Sequence, residues 1–213
     1  MPISIPEDTW CKICGVTRIE DVRTCEEAGA DAIGFNCYAG SARFVDSKTI
    51  ATLSRANTLT SVALFVDASA TQVKKIIDAA DIDLLQFHGN EEPAFCEQFD
   101  LPYMKVLRMR AGIDLNAEAK RYSSAWALML DTFVDGQPGG TGSTFDWQRW
   151  PKNRDARWVL AGGLTPQNVA AGIKQLAPFG VDVSGGVEGD TRGRKDREKI
   201  LDFIQEVRSV SGK

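Results

Sequence analysis

The sequence predicts a single (β/α)8 barrel. Three observations carry that prediction: a chain of 213 residues, eight short apolar runs alternating with amphipathic stretches, and polar residues collected where those runs end. Eight units in this length leave roughly 27 residues each, the compact end of the range for such barrels. The composition is 43% hydrophobic and 25% charged, the balance of a globular chain that buries a core. The whole of residues 1–213 is expected to form one catalytic domain.

The expected strands are Trp10–Cys14, Ala32–Phe35, Val62–Val66, Leu84–Phe87, Tyr103–Leu107, Trp126–Leu130, Trp158–Ala161 and Val181–Ser184. Most are bounded by Gly, Asp or Pro, as strands are. Helical spacing fills the gaps. Val73, Ile76, Ile77 and Ala80 share one face of the stretch from Thr71, and Ile200, Ile204 and Val207 form a second stripe, preceded by Arg194, Lys195 and Arg197. Thr165-Pro166 reads as an N-cap followed by proline at the first helical position. After Trp147 the helical signal is weakest, because Pro151 leaves room only for a short turn. An open doubly wound sheet is the rival fold, but Cys14-Gly15-Val16-Thr17 after the first strand lacks the glycine-rich dinucleotide fingerprint.

Charge and cysteine content narrow the function classes. A net charge of −4 excludes a broad nucleic-acid surface while leaving room for a local anion pocket. No run approaches the roughly 18 apolar residues of a membrane span, and the first residues do not read as a signal peptide, so a cytoplasmic protein is expected. The segment before Trp10 is too short for a fused partner enzyme, and a monofunctional chain, monomer or homodimer, is expected. Five cysteines, an odd number thinly spread, argue against a disulfide framework, and a single histidine leaves the usual zinc clusters unassembled. No metal or redox cofactor is expected.

Active sites of these barrels lie at the C-terminal ends of the strands. The polar residues there are Lys12, Cys14, Arg43, Asp67, His88, Lys105, Arg108, Asp131, Gly162, Gly163, Asp182 and Ser184. Strand alternation puts Lys12 and Cys14 on one face and Cys11 and Ile13 on the other, which sets aside a redox reading of Cys11-Lys12-Ile13-Cys14. Cys14 is either a small buried core residue or, beside Lys12 at a strand end, a functional thiol. Asp131 ends an otherwise apolar strand. It either caps the loop or serves as an acid whose charged form desolvation disfavours. His88 alone builds neither a serine triad nor a metal site. Three glycine clusters, Gly139-Gly140-Thr141-Gly142, Gly162-Gly163 and Ser184-Gly185-Gly186, fall in loops after strands six, seven and eight. Loops after strands seven and eight commonly hold phosphate through backbone N–H groups, so a small phosphorylated molecule is the expected ligand.

Taken together, the motifs resemble the phosphoribosylanthranilate isomerase family of tryptophan biosynthesis. The resemblance runs through Lys12–Thr17, Gly29–Phe35, Leu85–Glu91, Leu130-Asp131, Gly139–Gly142 with Phe145-Asp146-Trp147, Leu160–Leu164 and Gly180–Ser184, in family order. It implies an Amadori rearrangement of N-(5-phosphoribosyl)anthranilate to 1-(2-carboxyphenylamino)-1-deoxyribulose 5-phosphate, without a cofactor. It also implies Asp131 as general acid and Cys14 as general base, with Lys12 as the candidate that stabilises the thiolate. By the same likeness Arg43 holds the anthranilate carboxylate, and Lys12, His88, Gly140, Thr141, Gly142, Gly162, Gly163, Asp182, Ser184 and Gly185 contact substrate. The chain departs from the family where Ser41-Ala42-Arg43 replaces a usual Ser-Pro-Arg, where Gly40 stands for a frequent lysine, and where Gly185 replaces a bulkier residue. Loss of the proline frees the backbone ahead of Arg43. The alternatives are a related sugar-phosphate isomerase or epimerase, which needs no cation opposite the phosphate end, and a phosphate-binding barrel without turnover.

Overall fold

In the computed structural model, residues 3, 5–132, 146–153 and 155–210 are described. Their order is β1 (Trp10–Cys14), α1 (Ile19–Ala28), β2 (Ala32–Asn36), α2 (Ser47–Arg55), β3 (Thr60–Phe65), α3 (Ala70–Ala79), β4 (Leu84–Phe87), α4 (Pro93–Glu97), β5 (Tyr103–Arg108), α5 (Leu115–Arg121), β6 (Ala127–Asp131), β7 (Trp158–Leu160), α6 (Val169–Leu176), β8 (Gly180–Val183) and α7 (Arg197–Val210). Every neighbouring pair of strands is parallel, and β8 returns to β1 with Lys12 opposite Asp182, so the sheet closes into an eight-stranded barrel.

Alternation along each strand sorts the side chains into two cores. Cys11, Ile13, Ile33, Phe35, Leu85, Phe87, Leu128, Leu130 and Val181 pack outward against the helices. Trp10, Ala32, Val62, Leu84, Met104, Met129 and Val159 fill the interior. The strand face carrying Trp10 continues through Lys12 to Cys14, and the face carrying Met129 ends at Asp131. This period of two delivers polar groups to the open end of a barrel whose interior is otherwise dry. Trp10, Trp126 and Phe179 close the opposite end, with ring centroids 5.3 Å apart for Trp10–Trp126 and 5.4 Å for Trp126–Phe179.

The helices form where the spacing predicts them, with two differences. In the sixth unit the described residues hold only a 3-10 turn at Trp147–Arg149, in keeping with the weak signal there. The helix expected to open at Thr165-Pro166 starts instead at Val169. The reason is local. Asn168 Oδ1 accepts from Thr165 N at 2.8 Å and its Nδ2 donates to Gly163 O at 2.9 Å, so Asn168 ties back the loop and the Thr165 hydroxyl does not cap. α3 opens with a full capping box, Ser69 with Gln72. No described helix is long and apolar enough to cross a membrane.

Candidate active site

A cavity of about 780 Å³ opens at the C-terminal ends of the strands. Its lining includes Cys14, Arg43, His88, Asp131, Gly162, Gly163, Asp182, Ser184 and Gly185, which the primary structure had marked from six separate stretches. Asp67, Lys105 and Arg108 are not among the lining residues. Asp67 accepts from Asn90 N at 2.6 Å, Lys105 Nζ sits 2.9 Å from Glu91 Oε2, and Arg108 donates to His88 O at 3.0 Å. These three hold loops in position. Gly140, Thr141 and Gly142 lie outside the described residues.

At the end of β1, Cys14 is 5% exposed and Lys12 is wholly buried beneath it. Lys12 is not itself among the lining residues; its ammonium stands 2.7 Å from Oδ1 of Asp182, which is. Its contacts are with Asp182 and Cys14. Burial pulls the Lys12 ammonium down, but the Asp182 carboxylate and the Cys14 sulfur outweigh it and hold the ammonium above its ordinary range. Burial pushes the Cys14 thiol up, Lys12 and Lys195 draw it back, and Asp182 opposes them; the net direction is upward. Both side chains occupy space vacated by Gly34 on β2. A Cβ there would stand 3.0 Å from Cys14 Sγ and 3.1 Å from Lys12 Nζ.

Across the mouth, Asp131 closes β6 at 6% exposure. His88 Nε2 lies 3.2 Å from Asp131 Oδ2 but is not aligned for a hydrogen bond. His88 Nε2, Gln86 Oε1 and Thr132 Oγ1 are buried with no hydrogen-bond partner among the described residues. Polar groups left unpaired by the protein concentrate at sites that bind something. Gly162 has φ +81°, and a Cβ there would meet Thr132 Oγ1 at 2.3 Å and Asp131 Oδ1 at 2.7 Å, so only glycine lets this loop close over the carboxyl.

Arg43 holds the third side. Its Nε and Nη2 reach Glu188 Oε1 and Oε2 at 2.6 and 2.9 Å, a bidentate pair across the chain. A guanidinium carries five N–H donors, so Nη1 and one hydrogen of Nη2 are left for a ligand. Lys195 Nζ shares Glu188 Oε1 at 3.3 Å. Burial pushes the Glu188 carboxyl up, yet Arg43 and Lys195 together hold it below the usual carboxylate range. The sequence reading missed Glu188, Lys195 and Gln86. For Gln86 a signal existed, an amide in the apolar run Leu84-Leu85-Gln86-Phe87. For Glu188 and Lys195 none did, because Arg43, which joins them, is 145 residues from Glu188.

The fold and the site define a (β/α)8-barrel enzyme with a thiol and a carboxyl facing one cavity beside glycine-rich turns. Comparison with known proteins makes this specific. Residues 11–206 match the family model of N-(5'-phosphoribosyl)anthranilate isomerase, and the chain belongs to that family. It is 49% identical over 203 residues to the N-(5'-phosphoribosyl)anthranilate isomerase of Pseudomonas fluorescens strain SBW25, covering 94% of this chain and 96% of the relative. Among solved structures, the phosphoribosyl anthranilate isomerase of Thermotoga maritima superposes with a TM-score of 0.86 at 30% identity, over 94% of this chain and 99% of that one. A phosphoribosyl anthranilate isomerase in complex with reduced 1-(o-carboxyphenylamino)-1-deoxyribulose 5-phosphate gives 0.82 at 29% identity, with 94% and 99% covered.

Proposed function

We propose that the protein isomerises N-(5'-phosphoribosyl)anthranilate to 1-(o-carboxyphenylamino)-1-deoxyribulose 5-phosphate, with Asp131 as general acid and Cys14 as general base. The observation that carries this reading is the convergence of Cys14 from β1 and Asp131 from β6 on one cavity.

The chemistry runs in three proton steps. The Asp131 carboxyl gives its proton to the ribose ring oxygen, the C1′–O bond breaks, and the nitrogen lone pair forms an iminium. The Cys14 thiolate then removes the C2′ proton, and that electron pair moves to the iminium to give an enolamine. Reprotonation at C1′ and loss of the C2′ hydroxyl proton yield the ketone, so atoms and electrons balance within one molecule. Each positioned proton transfer contributes about 10²–10⁴-fold.

Binding follows from the same walls. The N–H groups of the Gly162-Gly163 and Ser184-Gly185 turns suit a phosphate, which backbone donors approach most closely where no Cβ intervenes. The donors that Glu188 leaves on Arg43 suit the planar carboxylate of the aromatic ring. His88 Nε2, buried without a hydrogen-bond partner 3.2 Å from Asp131, is placed to contact substrate beside the acid. Asp182 holds Lys12 beside the sulfur. The test is a fluorescence assay in which the anthranilate adduct is formed in situ and its consumption followed. Accelerated consumption on adding the protein is expected; none, with folded protein, overturns the reading.

A further inference from the structure

Lys12 is the nearest cation to Cys14, but a second cation, Lys195, also acts on the sulfur. Lys12 hydrogen-bonds the Cys14 sulfur, but the buried Asp182 carboxylate 2.7 Å from its ammonium opposes its charge. On the other flank Arg43 and Lys195 share the single carboxylate of Glu188, at 2.6 Å and 3.3 Å. That cluster keeps one positive charge in excess. The Lys195 side chain has no exposed surface. Its ammonium donates to Ser184 O at 3.0 Å and lies 3.5 Å from Ser184 Oγ, which donates to Cys14 O at 3.1 Å. Two hydrogen bonds through one serine therefore join a buried ammonium to the backbone of Cys14.

We propose that Lys195 is a positioning residue for the general base: anchored through Ser184, it supplies the unbalanced positive charge that favours the Cys14 thiolate. The inference rests on Cys14 being the base. Of the other charged groups facing Lys195, none adds a net negative charge to offset it. From the α1 side, Arg18 and Asp21 pair at 2.6 Å and cancel, while Arg18 also donates to Lys195 O at 3.2 Å. Cys25 of α1 senses the same ammonium, and Lys199 of α7 donates to Glu188 O at 2.7 Å. Burial is the larger influence on the Lys195 ammonium and, with Arg43, holds it below its ordinary range, while Glu188 and Cys14 favour its charged form. The thiolate and the ammonium thus stabilise each other in a place where each alone is disfavoured.

Lys195→Gln tests this without orphaning a carboxylate, since Glu188 keeps its bidentate Arg43. The readout is the pH dependence of Cys14 alkylation by iodoacetamide in the absence of substrate, followed by mass spectrometry of the Cys14 peptide. The expected result is a higher midpoint and alkylation at pH 7 slowed by about 3- to 10-fold, with Lys195→Arg staying nearer the parent protein. The opposite charge change, Glu188→Gln, shifts the midpoint down. An unmoved midpoint in Lys195→Gln, a shift in Lys195→Arg as large as in Lys195→Gln, or an upward shift in Glu188→Gln overturns the proposal. Because no turnover is measured, such a result removes Lys195 alone, whereas loss of the isomerase reading requires an inactive parent protein.

Discussion

Gly34→Ala adds one methyl group at the point where the base is held. The new carbon would stand 3.0 Å from Cys14 Sγ and 3.1 Å from Lys12 Cε and Nζ, against the roughly 3.5–4.0 Å of a relaxed contact. Something must retreat by about half an ångström. The β2 backbone is fixed, because Gly34 O accepts from both Gly15 N at 2.8 Å and Val16 N at 3.0 Å. Lys12 is clamped to Asp182, so the sulfur yields most. Overpacking of this kind costs about 1–3 kcal/mol of stability. Misplacing a reacting group by about 1 Å costs on the order of 10²-fold, so half that displacement predicts a loss of about tenfold in kcat. The assay is consumption of the fluorescent adduct, paired with a thermal melt. Ser69→Ala is the control. It removes the cap of α3, whose residues do not line the cavity, and costs about 1 kcal/mol with turnover unchanged. A Gly34→Ala protein that turns over within twofold of its parent refutes the reasoning, for the tight packing would then have no bearing on the base.

Two further perturbations follow from the charged and thiol groups. Glu188→Gln leaves Arg43 and Lys195 as buried cations without a carboxylate, and chemical denaturation should show a loss of about 3–5 kcal/mol; a loss under about 1 kcal/mol contradicts the shared-carboxylate cluster. Stability should also fall in alkali. Burial pushes the Cys25 and Cys96 thiols up to about 12 from 9.0, so above pH 9 the unfolded chain releases protons that the native chain retains. That favours unfolding progressively between pH 9 and 12, by about 1 kcal/mol per thiol at pH 10, and leaves stability below pH 9 untouched. Melts at pH 8 and pH 10 of the parent and of Cys25→Ala check it: the decline should be shallower in the variant, and equal declines count against burial as its cause.

Much of the barrel is legible in the primary structure because each strand alternates inward and outward residues between punctuating glycines, prolines and aspartates. Trp10–Cys14 and Leu84–Phe87 occur with the expected bounds. The error at Thr165 has a plain cause. A threonine before a proline looks like a cap, but here Asn168 forms the hydrogen bonds that decide where α6 begins. Cys14, His88 and Asp131 are legible because each is a polar residue at the end of an apolar strand, where the barrel's mouth lies, although the same signal also marks Arg108, which holds a loop instead. The Arg43–Glu188–Lys195 cluster is not, since Arg43 lies 145 residues from Glu188 and meets it only in the folded barrel. Lys12 shows the same limit: alternation sets its face, but only closure of β8 on β1 reveals its pairing with Asp182.

The central claim is that one thiol and one carboxyl move protons on the same sugar skeleton. The most direct measurement is kcat for Cys14→Ala and Asp131→Asn, each confirmed as folded by its melt, in the adduct-consumption assay. The account predicts a loss of about 10²–10⁴-fold in each. Turnover near the parent rate in either variant contradicts it.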